Sequence, residues 1–197
     1  MARTLVLFDF DGTITTSDTL FSFTSHAVPA LKYFLGLMIL APVFVFHKLG
    51  FISSHQTKEI FLHWYFHGMD LEEFNSHGRE YKDVIDKITR PKAAAQINEY
   101  KKQGHRVVVV SASAENWIRP WADSHQLELL ATKLAVVNGR IIGVIDGENC
   151  NKQEKVNRLK SYLNLADYSE IIVYGDSKGD REMLALGTST HYKPFRD

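Results

Sequence analysis

Three short apolar runs constrain the fold of this chain most. Residues 5–8 (LVLF) run into Asp9-Phe10-Asp11-Gly12, residues 106–110 (RVVVV) into Ser111-Ala112-Ser113, and residues 171–174 (IIVY) into Gly175-Asp176-Ser177. Each run is β-rich and almost uninterrupted, the pattern of a strand covered on both faces in a parallel sheet. Helical segments separate them. Residues 91–103 begin with Pro91 at a first-turn position and stop at Gly104, and residues 152–163 carry Val156, Leu159 and Leu163 on one stripe. Strands alternating with helices predict βαβ units with right-handed crossovers. Residues 134–145 contain Asn138-Gly139, the signal for a type I′ hairpin.

Residues 15–88 contain no comparable strand run and read as mostly helical, rich in aromatics and histidine. They are predicted to form a helical cap inserted in an α/β core made of residues 1–14 and 89–197, and 197 residues suit one domain with a sizeable insertion. Within the cap, residues 28–46 are apolar, but the charge-free run before His47-Lys48 is only the 14 residues Tyr33 to Phe46, and Pro42 interrupts it. A membrane span needs about 20 apolar residues. The expectation is a pair of buried cap helices kinked at Pro42. A membrane-surface or lipid-accepting face, and a true span, are the alternatives.

Charge narrows the function. Twenty-three Lys and Arg balance 23 Asp and Glu, so there is no global basic field of the kind that captures nucleic acid. The single cysteine, Cys150, cannot form an internal disulfide, which favours a reducing compartment. The opening apolar run meets acid at Asp9, so a secretory signal is not expected. A cytoplasmic location is expected, with peripheral membrane contact through residues 28–46 as the alternative.

The strand ends carry the chemistry. Asp9 and Asp11 sit two apart where the first strand stops, which in extended backbone puts both carboxylates on one face, towards the crevice beyond the sheet's carboxyl edge. Like charges held together there need a cation or a shared proton. Asp176 and Asp180 follow the last strong strand, four apart, at a turn leading into a helix. Four carboxylates at one edge are a hard oxygen set suited to Mg²⁺. Ser111 and the amides at the helix start after it can cradle phosphate. Lys155, with Lys152 one turn earlier, can balance the negative charge.

Taken in order, Asp9-Phe10-Asp11-Gly12-Thr13, Ser111, Lys155 and Gly175-Asp176-Ser177…Asp180 resemble the four motifs of the haloacid dehalogenase superfamily. The chain looks most like its phosphoserine-phosphatase-like branch, subfamily IB. That resemblance implies a three-layer Rossmann-like core with a C1-type helical cap and a small β-hairpin. It implies a phosphatase in which Asp9 attacks phosphorus, giving an aspartyl-phosphate, and Asp11 protonates the leaving oxygen and then activates water. Mg²⁺ would be held by Asp9, the Asp11 backbone carbonyl and Asp176, with Asp180 as ligand or close support. Phosphate would be bound by Ser111, the Ala112 amide, Gly12 and Thr13, with Lys155 stabilising developing charge. The third-motif lysine is Lys155 by its spacing, with Lys152 the alternative.

Departures bear on the substrate. Ala112-Ser113 stands where phosphoserine phosphatases usually have two glycines, and no glutamate follows Thr13 where they bind the amino group, although Asp18 is nearby. The apolar segment with Pro42 is similar to that of bacterial phosphatidylglycerophosphate phosphatases in this branch. The expected substrate is a small phosphorylated molecule of the phosphoserine kind, with a lipid phosphate as alternative. A non-catalytic phospho-acceptor module is the competing class, although such modules phosphorylate a later strand end and lack a large cap. His63 and His67, spaced i,i+4, could chelate a metal but lack an acidic third ligand at a familiar spacing. They are expected to pack in the cap, and Trp117 and Trp121 in the core or at its rim.

Overall fold

The computed structural model describes residues 3–196; the outermost residues of the predicted core segments, 1–2 and 197, lie outside them. Five parallel strands form the central sheet: β1 (Thr4–Phe8), β2 (Arg106–Ala114), β3 (Glu128–Thr132), β6 (Glu170–Gly175) and β7 (Ser189–Tyr192), in the order β3-β2-β1-β6-β7. After β1 the chain builds outward through β2 and β3, then returns to the other side of β1 for β6 and β7. The strand order therefore reverses at the β1/β6 pair, the place where open α/β sheets bind ligands. Asp9 leaves one of these strands and Asp176 the other.

The uninterrupted runs are explained by burial on both faces. Leu5, Leu7, Val108, Val110, Ile171 and Val173 pack on one side against α7 (Gln153–Tyr162) and α8 (Arg181–Leu184). Val6, Phe8, Val107, Val109, Ile172 and Tyr174 face the other, with α5 (Pro91–Lys102) and α6 (Glu115–Ser124). β2 runs four residues past the predicted Val110, so the following helix starts at Glu115 and Ser111 lies inside the strand, beside a register shift. Two strands escape the sequence pattern. β3 reads as leucine-rich and ambiguous in period, while β7 (STHY) is a polar edge strand with little burial.

Four helices form the insertion: α1 (Thr19–Ala27), α2 (Ala30–Lys48), α3 (Ser54–Phe66) and α4 (Leu71–Ile88). Its two linkers pair with each other, Thr16 N–H donating to Ile88 O and Arg90 N–H to Ile14 O. Cap and core share one aromatic cluster. Phe23 of α1 stacks on Trp117 of α6 with centroids 4.7 Å apart, and Trp117 and Trp121 are fully enclosed. The hairpin of β4 (Leu134–Val137) and β5 (Arg140–Ile145) turns at Asn138-Gly139, both at positive φ, and lies on α3. His63 and His67 both direct Nδ1 to the Ile142 carbonyl, at 3.0 and 3.1 Å, so their spacing serves the hairpin; they belong to no metal-ligand cluster among the described residues.

The apolar segment differs from expectation. It is one continuous helix, α2, which runs through Pro42, and most of it lies in solvent. Its inner face is narrow: Gly36 and Leu40 are buried, and Gly36 allows Trp64 and Tyr65 of α3 to press against the helix backbone. Pro42 and Met38, whose carbonyl loses the bond proline cannot donate, both belong to the exposed part. Length and composition alone would let α2 cross a membrane, but one face is taken up by the cap.

Candidate active site

The tight turn after β1 sets the geometry. Asp9 keeps extended backbone while Gly12 adopts φ +80°, and a Cβ there would lie 2.5 Å from the Asp176 carboxylate. Glycine is needed both for the conformation and for the close approach of Asp176. Asp9 is buried, with Thr13 Oγ donating to its Oδ2 at 3.0 Å and Lys155 Nζ to its Oδ1 at 2.5 Å. Thus Thr13 reaches the carboxylate of the first motif itself.

Lys155 rises from the first turn of α7 and spends all three protons below the sheet edge, on Asp9, on Asp180 Oδ1 at 2.7 Å and on Val110 O at 2.9 Å. It is 1% exposed, whereas Lys152 stands exposed just before the helix. Of the two lysines, Lys155 stands at the carboxylates and Lys152 does not. Asp180 is held from its other side by the Asp176 and Ser177 amides, at 3.1 and 2.9 Å, and by the Ser177 hydroxyl at 2.8 Å. Arg196 Nη2 lies 2.5 Å from Asp176 Oδ2.

Electrostatics follow from this crowding. Burial, with Asp180 and Asp11 nearby, pushes Asp9 up to about 7 despite the pull of Lys155. Burial and Asp180 also raise Asp176. Asp180 itself stays below the usual range, because Lys155 and the Ser177 donors outweigh its desolvation. Burial would lower Lys155, but its two carboxylates more than compensate and raise it. Asp9, Asp176 and Asp180 each offer an oxygen within 4.8 Å of the others. Three hard oxygens, on buried Asp9 and Asp180 and half-buried Asp176, with Asp9 and Asp176 driven towards protonation chiefly by burial, fit a small divalent cation.

Asp11 faces elsewhere. Its Oδ1 accepts from the Thr19 amide at 2.6 Å, at the start of α1, and its Oδ2 from Ser113 Oγ at 2.7 Å, with Ser111 Oγ at 3.5 Å. Of the four predicted carboxylates, three side chains converge and Asp11 stands beside them, tied to the cap entrance. Ser111 Oγ accepts from the Ser113 amide at 3.0 Å, so Ser113, the third residue after the strand's predicted end, shapes this corner together with Ser111. Thr19 continues the chain, donating to Ser113 Oγ at 3.1 Å and accepting from Trp117 Nε1 at 3.2 Å.

Sequence reading missed the cap's cation. Lys58 of α3 donates to Ala112 O at 2.7 Å and to Asn149 Oδ1 at 3.1 Å, and Thr132 Oγ donates to the same Ala112 carbonyl at 2.6 Å. Burial brings Lys58 down to about 8 even though Asp11 and Asp18 oppose the change. Asp18 caps α1 through the Leu20 amide at 2.8 Å and is pushed up to about 6 by burial and Asp11. No motif spacing in the sequence links residue 58 to residue 112. A cavity of about 650 Å³ opens over Asp9, Asp11, Asp18, Lys58, Lys155, Asp176 and Asp180. Its floor is the carboxylates, and its cap-side wall includes Leu20, Phe21, Phe44 and Phe61.

A carboxylate cluster at the switch point of a parallel sheet, roofed by an inserted helical cap, defines a capped α/β hydrolase. The haloacid dehalogenase-like hydrolase family model matches residues 6–185, and the chain belongs to that family. It is 31% identical over 98% of its length to protein CicA of Caulobacter vibrioides, covering 86% of that protein. In structure it is similar to a protein of unknown function from Bordetella pertussis, with TM-score 0.80, 22% identity, and 96% and 89% of the two chains covered. A substrate-bound phosphoserine phosphatase superimposes with TM-score 0.70 at 20% identity, over 98% and 86% of the two chains.

Proposed function

We propose that the chain is a Mg²⁺-dependent phosphomonoester hydrolase working through an aspartyl-phosphate. Asp9 Oδ attacks phosphorus, the ester P–O bond breaks, and Asp11 gives its proton to the departing alcohol. Asp11 then takes a proton from water as that water attacks the acyl phosphate, releasing inorganic phosphate and restoring Asp9. Asp9, Asp176 and the Asp11 carbonyl would hold Mg²⁺, with Asp180 in support; when bound, the ion would neutralise charge on phosphate and nucleophile. Lys155 keeps Asp9 oriented and offsets the charge that accumulates at the sheet edge. Gly12 and the Ala112 amide, on the cavity wall, would meet phosphate oxygens, with Ser111 and Thr13 buried beside them.

The observation that carries this reading is the buried Asp9 carboxylate, pinned by Lys155 and Thr13 on the cavity floor within reach of two further acids. Turnover of p-nitrophenyl phosphate with and without Mg²⁺ tests it. Asp9→Asn should lose at least ~10³-fold in kcat, and Asp11→Asn should slow both half-reactions. Acid-quenched wild type should retain a base-labile phosphoryl label that Asp9→Asn lacks. Metal-independent turnover, or a label that survives in Asp9→Asn, sinks the mechanism.

A small phosphorylated metabolite of the phosphoserine kind is the first substrate class. The aromatic wall of Phe21, Phe44 and Phe61 beside the carboxylate floor supports a second, a lipid phosphate at a membrane surface. Comparing turnover of phosphoserine with that of a lysophospholipid phosphate in detergent separates them. With its lone cysteine buried, the protein suits a reducing compartment on the cytoplasmic side.

A further inference from the structure

We propose that the outer face of α2 docks the protein, in plane, on a bilayer carrying anionic lipid. Leu31, Phe34, Leu35, Met38, Val45 and Phe46 project from that face and are 42–73% exposed. Just past its end, Leu49 and Phe51 extend the stripe at 64% and 76%. A helix apolar on all sides normally lies inside a protein or in lipid, and soluble monomers rarely expose an apolar patch beyond a few hundred Å². The inner face of α2 is packed on α3, so a span would have to strip it from the cap; lying along the surface needs no such change.

Charge selects the bilayer over a second copy of the chain. From Thr19 to Lys58 there is no Asp or Glu, while Lys32, Lys48 and Lys58 are present. A two-fold pair would set this acid-free surface against itself, with Lys32 and Lys48 unopposed by acid from the same segment. Anionic headgroups supply the missing partner, each lysine near the surface adding to the attraction. Lys32 and Lys48 stand at the two ends of the helix and both are exposed; Lys32 Nζ donates to Tyr65 O of α3 at 2.8 Å, which leaves Lys48 as the flanking anchor for headgroups. The position also has a consequence for the site. Phe44 and His47 of α2 line the cavity over Asp9, so a docked α2 would bring the cavity mouth close to the headgroup layer.

The proposal rests on the cap's surface and not on the chemistry assigned to Asp9, so binding is measured without turnover. Wild type should co-sediment with vesicles of phosphatidylcholine plus phosphatidylglycerol, and more weakly with phosphatidylcholine alone. Phe34→Glu with Met38→Glu should weaken capture at least tenfold, and Lys48→Glu about tenfold on the anionic vesicles only. Circular dichroism and p-nitrophenyl phosphate turnover of the same variants check the fold, since none of these residues lines the cavity. If the helix variant fails to fold, Leu49→Glu with Phe51→Glu beyond the helix end makes the same test. Wild type that stays in the supernatant with both vesicles overturns the proposal. So does a dimer in light scattering that Phe34→Glu with Met38→Glu splits into monomers, which would assign the face to a second copy.

Discussion

The two walls of the cavity are built on opposite principles. On the core side, Lys155 donates three hydrogen bonds, and Asp180 accepts from Lys155 on one oxygen and from three donors on the other. On the cap side, aromatic contacts dominate the packing, Lys58 being the exception that reaches across to the core, and the outermost helix is left largely uncovered. Buried ions have little tolerance for an unmatched neighbour, because removing one partner strands the other in a low-dielectric site. Apolar contact is non-directional and tolerates a change of shape or occupant. A rigid polar floor with an adaptable apolar roof suits a scaffold that fixes one reaction and varies what enters it.

Lys155→Met should produce the largest effect, since it leaves Asp9 and Asp180 facing each other without their shared cation. About 3–5 kcal/mol of stability should be lost, with a fall in kcat of at least ~10²-fold. Lys152→Met, exposed and outside this network, should stay within about 0.5 kcal/mol of wild type. Urea unfolding and p-nitrophenyl phosphate kinetics on both variants decide the contrast. Equal losses would mean that the polar floor depends on more than the contacts of Lys155.

The roof divides into an inner and an outer layer, and the second prediction separates them. Phe61 is 1% exposed, in contact with Phe21, Phe44 and Tyr65, whereas Phe34 is 62% exposed. Phe61→Ala should cost about 3–5 kcal/mol through the cavity it leaves, and Phe34→Ala no more than about 0.5 kcal/mol. Urea midpoints measured without lipid read both. A large loss at Phe34 would show that α2 is already covered in solution.

How much of this was legible follows from the same division. The sheet and its floor were readable because strands buried on both faces leave continuous apolar runs, and because the acids occur where those runs stop. Lys155 was readable from spacing, since a helix places it one turn inside its start. Lys58 was not, because its partners are a main-chain carbonyl at Ala112 and an amide at Asn149, which leave no signature in residue type. Strand β7 carries polar residues on a sheet edge, so period and composition are both silent there. For α2, hydrophobicity pointed to helices buried in the cap, whereas the structure holds one continuous helix with most of its surface exposed. Composition cannot distinguish a core from a surface that awaits a partner.

Lys58 joins the two walls, and its titration gives the smallest expected effect. Burial lowers it from an ordinary 10.5 to about 8 in the folded protein. Between pH 8 and 10.5 the unfolded chain therefore binds more protons at this residue than the folded one, and stability rises with pH across that window. Below it both states carry the charge and the cost of burying it is constant. In Lys58→Met that rise is absent, while contributions from the remaining groups are common to both proteins. The stability difference, wild type minus Lys58→Met, should thus become more favourable to wild type by about 2 kcal/mol between pH 7.5 and 9.5. Urea midpoints at the two pH values measure it. An unchanged difference would mean that Lys58 keeps its proton as easily folded as unfolded, with Asp11 and Asp18 fully compensating for its burial between cap and core.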